Sequence, residues 1–346
     1  MSEPLTVEAV AGAGAAWDDF VDRSPDASFA HLWRWRTVLA DVYGHDARYL
    51  VAKDADGRWR GVLPLVRLRS RLFGRHLVSV PLLNHGGAIG APAARAQLAE
   101  HAAEEARRWG ADTLVLRQRE PVACALPTAR HKVTVALELP DSPATLWRET
   151  LRSKVRSQIR RAMKEAMDVR FGPDQRRAFH EVYARNMRDL GTPAHPPALF
   201  EAIAGAFPEH VVFGAVYRHG RPVAGGCGFR WRDAFEMTWA SSLREFNRMA
   251  PNMLLYWAFM EEMTARGVRV FDFGRCTPGS ATHRFKLQWG GAELPLPWLH
   301  WSRRGAPPDT PGERPPMRWA RAAWRRLPAT IADRLGPAVA RELPWW

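Results

Sequence analysis

The chain is short of cysteine and of lysine, and it contains no long apolar run. Its three cysteines, Cys124, Cys227 and Cys276, are odd in number and widely spaced, which excludes a disulfide scaffold or a CxxC zinc cluster and points to reduced thiols. No apolar stretch approaches about 18 residues, so no membrane span is expected. Glu3 and Glu8 occupy the start, and no basic stretch leads into an apolar one, which argues against a secretory signal. Gly 26 and Pro 27 follow no period, removing a collagen-like reading. A Walker loop, a GxGxxG fingerprint, an HExxH pair and a GxSxG elbow are all missing, so the common nucleotide, zinc-protease and serine-hydrolase chemistries lose support.

What is present describes a globular protein. With 346 residues, 46% hydrophobic and 25% charged, the chain is long enough for two cores. Fifty basic residues face 36 acidic ones, for a net charge of +14, and only five of the fifty are lysines. An arginine excess suits bidentate contacts to phosphate or carboxylate, but a coding bias gives the same skew and is the preferred reading. A polyanionic partner stays open.

Along the chain, residues 47–53 and 59–68 flank Asp54-Ala55-Asp56-Gly57 and read as a hairpin. A strand at 77–80 leads to Asn84-His85-Gly86-Gly87, a turn or a ligand loop. A helix at 93–109 ends at Gly110, followed by strands at 113–117 and 132–139. One long basic helix is expected over 142–167, carrying Leu146, Leu151, Val155, Ile159, Met163 and Met167 near helical spacing. Beyond it come a strand at 169–171, helices at 175–189 and 198–206, and a hairpin of 211–217 with 222–231. A strand at 234–240, a helix at 251–265, a strand at 268–273 and a short helix at 281–288 complete the order. The expected division is 1–141, a linking helix 142–168, 169–304, and a tail 305–346. That tail combines a Pro307–Pro316 linker with Trp319, Trp324 and several arginines, and ends at Trp345-Trp346. Pro328 and Pro337 break it into short segments, which favours docking or weak association over a continuous membrane helix. An anionic membrane surface is one candidate partner, and the expected location is cytoplasmic, peripheral at the inner face of the membrane.

The densest polar constellation runs from Ser241 through Arg244, Asn247 and Asn252, and resumes at Asp272-Phe273-Gly274-Arg275. His283, Arg284, Lys286 and Gln288 follow on the short helix, where His283 and Lys286 are three apart and share a face. One face would then offer a proton acceptor and a cation, as acyl transfer to an amine requires. Lys286 is the leading oxyanion or phosphate stabiliser, and His283 or Asp272 the base. Each has a structural alternative: Asp272 capping its loop, His283 simply packed, Lys286 in a loop salt bridge. Asn252 and Tyr256 lie i,i+4 on the preceding helix and would position a substrate, although Tyr256 also reads as packing. Arg244 and Asn247 precede that helix, whose N-terminus suits an anion or ordinary capping. The basic stretch 152–164, with Arg156, reads as a solvated or interdomain face rather than a nucleic-acid contact, because its cations point in several directions.

Several blocks carry a family resemblance: Ala240-Ser241-Ser242-Leu243-Arg244-Glu245-Phe246-Asn247, Pro251-Asn252-Met253-Leu254-Leu255-Tyr256-Trp257, and Phe271-Asp272-Phe273-Gly274-Arg275. Thr277-Pro278-Gly279-Ser280, Arg284-Phe285-Lys286-Leu287-Gln288-Trp289-Gly290 and the segment Ser153 to Arg161 extend it. Together they resemble the Fem-like (FemAB-related) acyltransferases of the subgroup associated with exosortase/PEP-CTERM systems, most strongly over 151–301. The resemblance implies an α/β (α+β) fold of two tandem GNAT-like domains, mixed sheets flanked by helices, with activity in the second domain or between the two. It implies N-acyl or aminoacyl transfer to an amino group of an envelope or exopolysaccharide precursor. Lys286 would be the functional lysine, with Asp272, Arg275, Asn252 and Tyr256 shaping the acceptor site and Arg244, Asn247, Arg284 and Arg156 as further binding candidates. No tightly bound cofactor or metal is implied. The donor, an acyl-CoA or an aminoacyl-tRNA, stays open: residues 147–211 have no room for the inserted coiled coil of tRNA-dependent relatives, and no Arg/Gln-x-x-Gly-x-Gly/Ala loop is present. A noncatalytic adaptor binding an anionic precursor or a protein partner is the alternative. Specific nucleic-acid binding is not expected.

Overall fold

A computed structural model of the protein describes residues 5–305 and 315–343. Most of the expected proline linker and Trp345-Trp346 lie outside the described residues. Two compact units emerge: Met1–Lys132 with Pro295–Arg314 and Arg341–Trp346, and Val133–Leu294 with Pro315–Ala340. Against the expected limits at 141, 168 and 304, these units part within two strands, because ladder pairing rather than composition defines each core.

The first unit contains β1 (Thr6–Val10), α1 (Gly14–Arg23), α2 (Trp35–Tyr43), β2 (Asp46–Lys53), β3 (Trp59–Ser70), β4 (Gly74–Val78), β5 (Ile89–Gly90), α3 (Pro92–Trp109) and β6 (Thr113–Leu116). The hairpin forms as expected: Asp54 Oδ1 accepts from Asp56 N and Arg58 N, and Gly57 takes φ 78°. α3 buries Ala94, Leu98, Ala99, Ala102, Ala103 and Ala106, a narrow stripe that lets it lie close on the sheet, and Gly110 ends it in the left-handed region.

The chain continues with β7 (Thr128–Glu138), α4 (Pro143–Thr145), α5 (Ser153–Met163), β8 (Met167–Phe171), α6 (Arg176–Leu190), α7 (Pro197–Ala206), β9 (Val211–Arg218), β10 (Arg221–Trp231), β11 (Ala234–Ser242), α8 (Pro251–Ala265), β12 (Val270–Asp272) and α9 (Ala281–Leu287). It closes with β13 (Ala292–Ser302), α10 (Pro315–Arg326) and α11 (Ala329–Glu342). The single long helix expected over 142–167 is replaced by α4, a wide turn Leu146–Thr150, α5 and the start of β8. Leu151 and Arg152 adopt extended backbone, which lets Leu146 and Leu151 bury separately from the Val155, Ile159 and Ala162 face of α5. Helical spacing alone does not register such a break. Pro337, expected to interrupt the tail, lies inside α11.

The two units repeat one topology: an edge strand, two helices, a three-strand antiparallel meander, a helix and a strand parallel to the last of the meander. In the first unit this is β1, α1, α2, β2-β3-β4, α3 and β6, with β4 parallel to β6. In the second it is β8, α6, α7, β9-β10-β11, α8 and β12, with β11 parallel to β12. Each sheet gains one more antiparallel strand, β13 against β6 and β7 against β12. The second core gathers Val155, Ile159, Phe235, Leu255, Phe259, Phe271 and Trp289. α8 is buried on nearly every side, as its apolar composition requires.

Candidate active site

The parallel pair β11/β12 is short. Its ladder holds only Ala234↔Val270, Phe235↔Phe271 and Glu236↔Asp272, whereas β11 runs on to Ser242. The chain beyond Asp272 stays with β7: Phe273 N donates to Val135 O at 2.8 Å and Cys276 N to Val133 O at 2.7 Å. The two strands therefore fork after Glu236 and Asp272, and the β11 edge past Glu236 has no β12 partner. Crevices at the carboxyl ends of parallel strands are where open α/β sheets bind ligands. α8, which joins the two strands, follows β11 after a 3-10 turn Arg244–Met249 and Ala250 at φ 55°.

Charge gathers at the fork. Glu236 and Asp272 are in register on neighbouring strands, and both are buried. Asp272 Oδ1 accepts from Thr134 Oγ1 and from Gly274 N, the latter at 2.7 Å, so it caps the turn that carries the chain away from β11. Lys286, 5% exposed, donates from Nζ to Gly274 O at 2.6 Å and to Arg275 O at 3.0 Å. Burial pushes its ammonium down to about 8, while Cys276, Asp272 and Glu236 pull it back up. Arg275 is lowered to about 10 by burial, opposed by the Glu236 charge. Two buried carboxylates, the buried Lys286 ammonium and the half-buried Arg275 thus share the site, and the opposite charges offset one another's burial.

The other expected residues are placed differently. His283 does share the short helix with Lys286, but its Nδ1 accepts from Gly279 N at 3.0 Å and its Nε2 meets Glu293 Oε2 at 2.5 Å. The proton consequently sits on Nε2, and both nitrogens are engaged away from the fork. Arg284 reaches back to Gly279 O at 2.6 Å. Arg156 caps the Leu146–Thr150 turn through Trp147 O and Arg148 O. Tyr256 packs in an aromatic cluster, stacked on Phe273 at 5.7 Å and set edge-on to Phe285 at 5.1 Å, and burial raises its hydroxyl pKa. Asn252 is half-buried in the first turn of α8, and Arg244 and Asn247 are exposed in the preceding turn. Lys286, Asp272 and Arg275 are the three that the fold brings together.

Glu236 was not among the expected residues. Its signal was a carboxylate inside the apolar strand Ala234-Phe235-Glu236-Met237, where burial demands a partner. Nor was the cavity beside the end of β11, about 390 Å³, lined by His180, Arg185, Arg188, His195, Leu243 and Asp333. His195 is buried there, and its pKa is lowered to about 3 by burial, with His180 and Arg275 adding to the effect.

Comparison with known proteins agrees with this geometry. The repeated β-α-α-β-β-β-α-β unit with its parallel pair is a GNAT-type fold, and the chain carries two of them in tandem. The family model described as an acetyltransferase (GNAT) domain matches residues 150–287. FemX is similar in structure with a TM-score of 0.63 at 14% identity, over 85% of this chain and 97% of FemX. A tandem GNAT protein from the clavulanic acid biosynthesis pathway aligns with TM-score 0.52 at 12% identity, covering 88% of this chain and all of the other. L-PGS from Bacillus licheniformis aligns with TM-score 0.51 at 9% identity, covering 85% and 96%. At these identities the likeness speaks for the fold. No curated sequence matches the chain. Among the described residues no helix is long and apolar enough to cross a membrane.

Proposed function

We propose that the protein is an N-acyltransferase that moves an acyl or aminoacyl group from an activated donor to an amino group of a cell-envelope or exopolysaccharide precursor. The observation that carries this reading is the β11/β12 fork with Lys286 buried at its apex, inside a GNAT-type domain. A forked parallel pair accepts an extended, amide-bearing donor arm along the β11 edge that β12 leaves. An acyl thioester fits this slot, and an aminoacyl ester is the competing donor. The envelope acceptor rests on the Fem-like motifs around Asp272 and Lys286.

In this reading the acceptor amine attacks the donor carbonyl, a C–N bond forms, and the carbonyl electron pair moves onto oxygen. Collapse re-forms the carbonyl and expels the thiolate or ribose oxygen. Two N–H groups of Lys286 are used on the Gly274 and Arg275 carbonyls, and the third faces the developing oxyanion. Glu236 takes the proton released by the attacking nitrogen, directly or through water, and that proton ends on the leaving group. Asp272 and Arg275 hold the loop and balance the site's charge. His283 takes no part, because both of its nitrogens are engaged.

Mass spectrometry tests the reading directly. Wild-type protein and Lys286→Met are incubated with a panel of acyl thioesters, aminoacyl-tRNAs and amino-bearing envelope precursors. A Lys286-dependent product identifies the donor from the added mass. Donor retention with no product over the panel would favour a binding adaptor.

A further inference from the structure

In the tail, α10 and α11 each hold to the folded body through some side chains and leave large apolar and basic ones exposed. On the inner side, Ala332, Gly336 and Ala340 recur every four residues and are buried. A Cβ at Gly336 would sit in van der Waals contact with the Ala194 backbone, 3.4 Å from its carbonyl oxygen. Arg321 and Arg325 donate to Leu190 O at 3.4 and 3.2 Å, at the C-terminal end of α6 where a cation is favoured.

The outer side breaks the usual surface pattern. Trp319 is 76% exposed, and Ile331 and Leu335 are 44% and 46% exposed, positions where a helix docked on a soluble domain normally carries polar residues. Arg318, Arg326 and Arg334 are exposed with them, and Asp333 is the only acidic residue between Met317 and Ala340. An apolar face with a tryptophan anchor, set among arginines whose stems can lie along it, matches the headgroup layer of a bilayer. The near absence of acidic groups selects an anionic one.

We propose that the outer face of α10 and α11 seats the protein on an anionic lipid bilayer, with Trp319, Ile331 and Leu335 entering the headgroup region and the arginines meeting lipid phosphates. This stands independently of the transfer reading. Because Arg321, Arg325, Ala332, Gly336 and Ala340 remain docked, the two helices would hold the folded domain at the surface rather than tether it by a loose segment.

The test is co-sedimentation of the full-length protein with phosphatidylglycerol/phosphatidylethanolamine vesicles and with phosphatidylcholine vesicles, at low and high salt. Binding is expected to the anionic vesicles only, and it should weaken with salt. Arg318→Gln with Arg326→Gln should weaken it by roughly 25-fold, about fivefold for each arginine near the surface. Trp319→Ser with Leu335→Ser should abolish it, and because all four side chains are exposed, circular dichroism melts should match wild type. Equal binding to neutral vesicles, no binding, or indifference to both double variants would overturn the proposal. Self-association that depends on Trp319 and Leu335, with no vesicle binding, would assign the face to a second copy and overturn it equally.

Discussion

Lys286→Met is the most informative single change, because it separates what the ammonium does for folding from what it does for chemistry. In the folded protein the group is 5% exposed and donates to Gly274 O and Arg275 O. Charge-assisted bonds of this kind contribute about 1.5–3 kcal/mol each. Against them stands the cost of burial: the fall from an ordinary 10.5 to about 8 corresponds to roughly 3 kcal/mol against the charged form. Methionine fills a similar volume but leaves the Gly274 and Arg275 carbonyls without their donor and removes a cation from beside Asp272 and Glu236, so it should destabilise the protein by about 3 kcal/mol at neutral pH.

The pH dependence is the sharper signature. A lysine whose pKa is lower in the folded state binds fewer protons than in the unfolded chain between about 8 and 10.5. The unfolded state holds the excess protons, so stability rises with pH through that window. Wild type should therefore gain roughly 3 kcal/mol relative to Lys286→Met between about pH 7.5 and pH 11. Urea melts of both proteins across that range measure the difference. Parallel stability curves would refute the assignment of a buried, depressed ammonium at the fork. The protonated form is the one assigned to the oxyanion, so transfer by wild type should fall as pH rises through about 8.

Three further outcomes follow from the same geometry. Glu236→Gln should leave the melt within about 1 kcal/mol yet slow transfer by at least about 10²-fold, read from initial rates at saturating donor. Gly228→Ala should destabilise by about 1–3 kcal/mol in urea melts and impair transfer, because a Cβ beside the β10 bulge would collide with the Phe235 ring and with Glu236 O. Ala250→Gly should stabilise by about 1 kcal/mol in the same assay, since Ala250 sits at φ 55° where glycine has no steric penalty.

Much of the fold was legible because each unit is built from local signals: turn residues between alternating runs, and Gly110, Gly191 and Gly267 at or just beyond helix ends. What escaped was less local. β13 carries Pro295 and Pro297, which demote a strand when read alone. α1 and α2 lack side-chain N-caps and were not anticipated. At the site, Lys286, Asp272 and Arg275 stood out in a dense polar block. Glu236 did not, because a crossover through the whole of α8 brings it beside Asp272. The i,i+3 spacing placed His283 and Lys286 on one helix face correctly in principle, yet their side chains reach different partners, Glu293 and the Gly274–Arg275 carbonyls. Spacing gives the direction of a Cβ, not the acceptor at its end.

The central claim is that the β11/β12 fork performs transfer rather than binding alone, and counting product per protein tests it most directly. With the donor and acceptor from the mass-spectrometric panel in large excess, wild-type protein should form many equivalents of N-acylated product per chain, and Lys286→Met almost none at the same time points. Product that plateaus at or below one equivalent, or undiminished turnover by a folded Lys286→Met protein, would contradict the account.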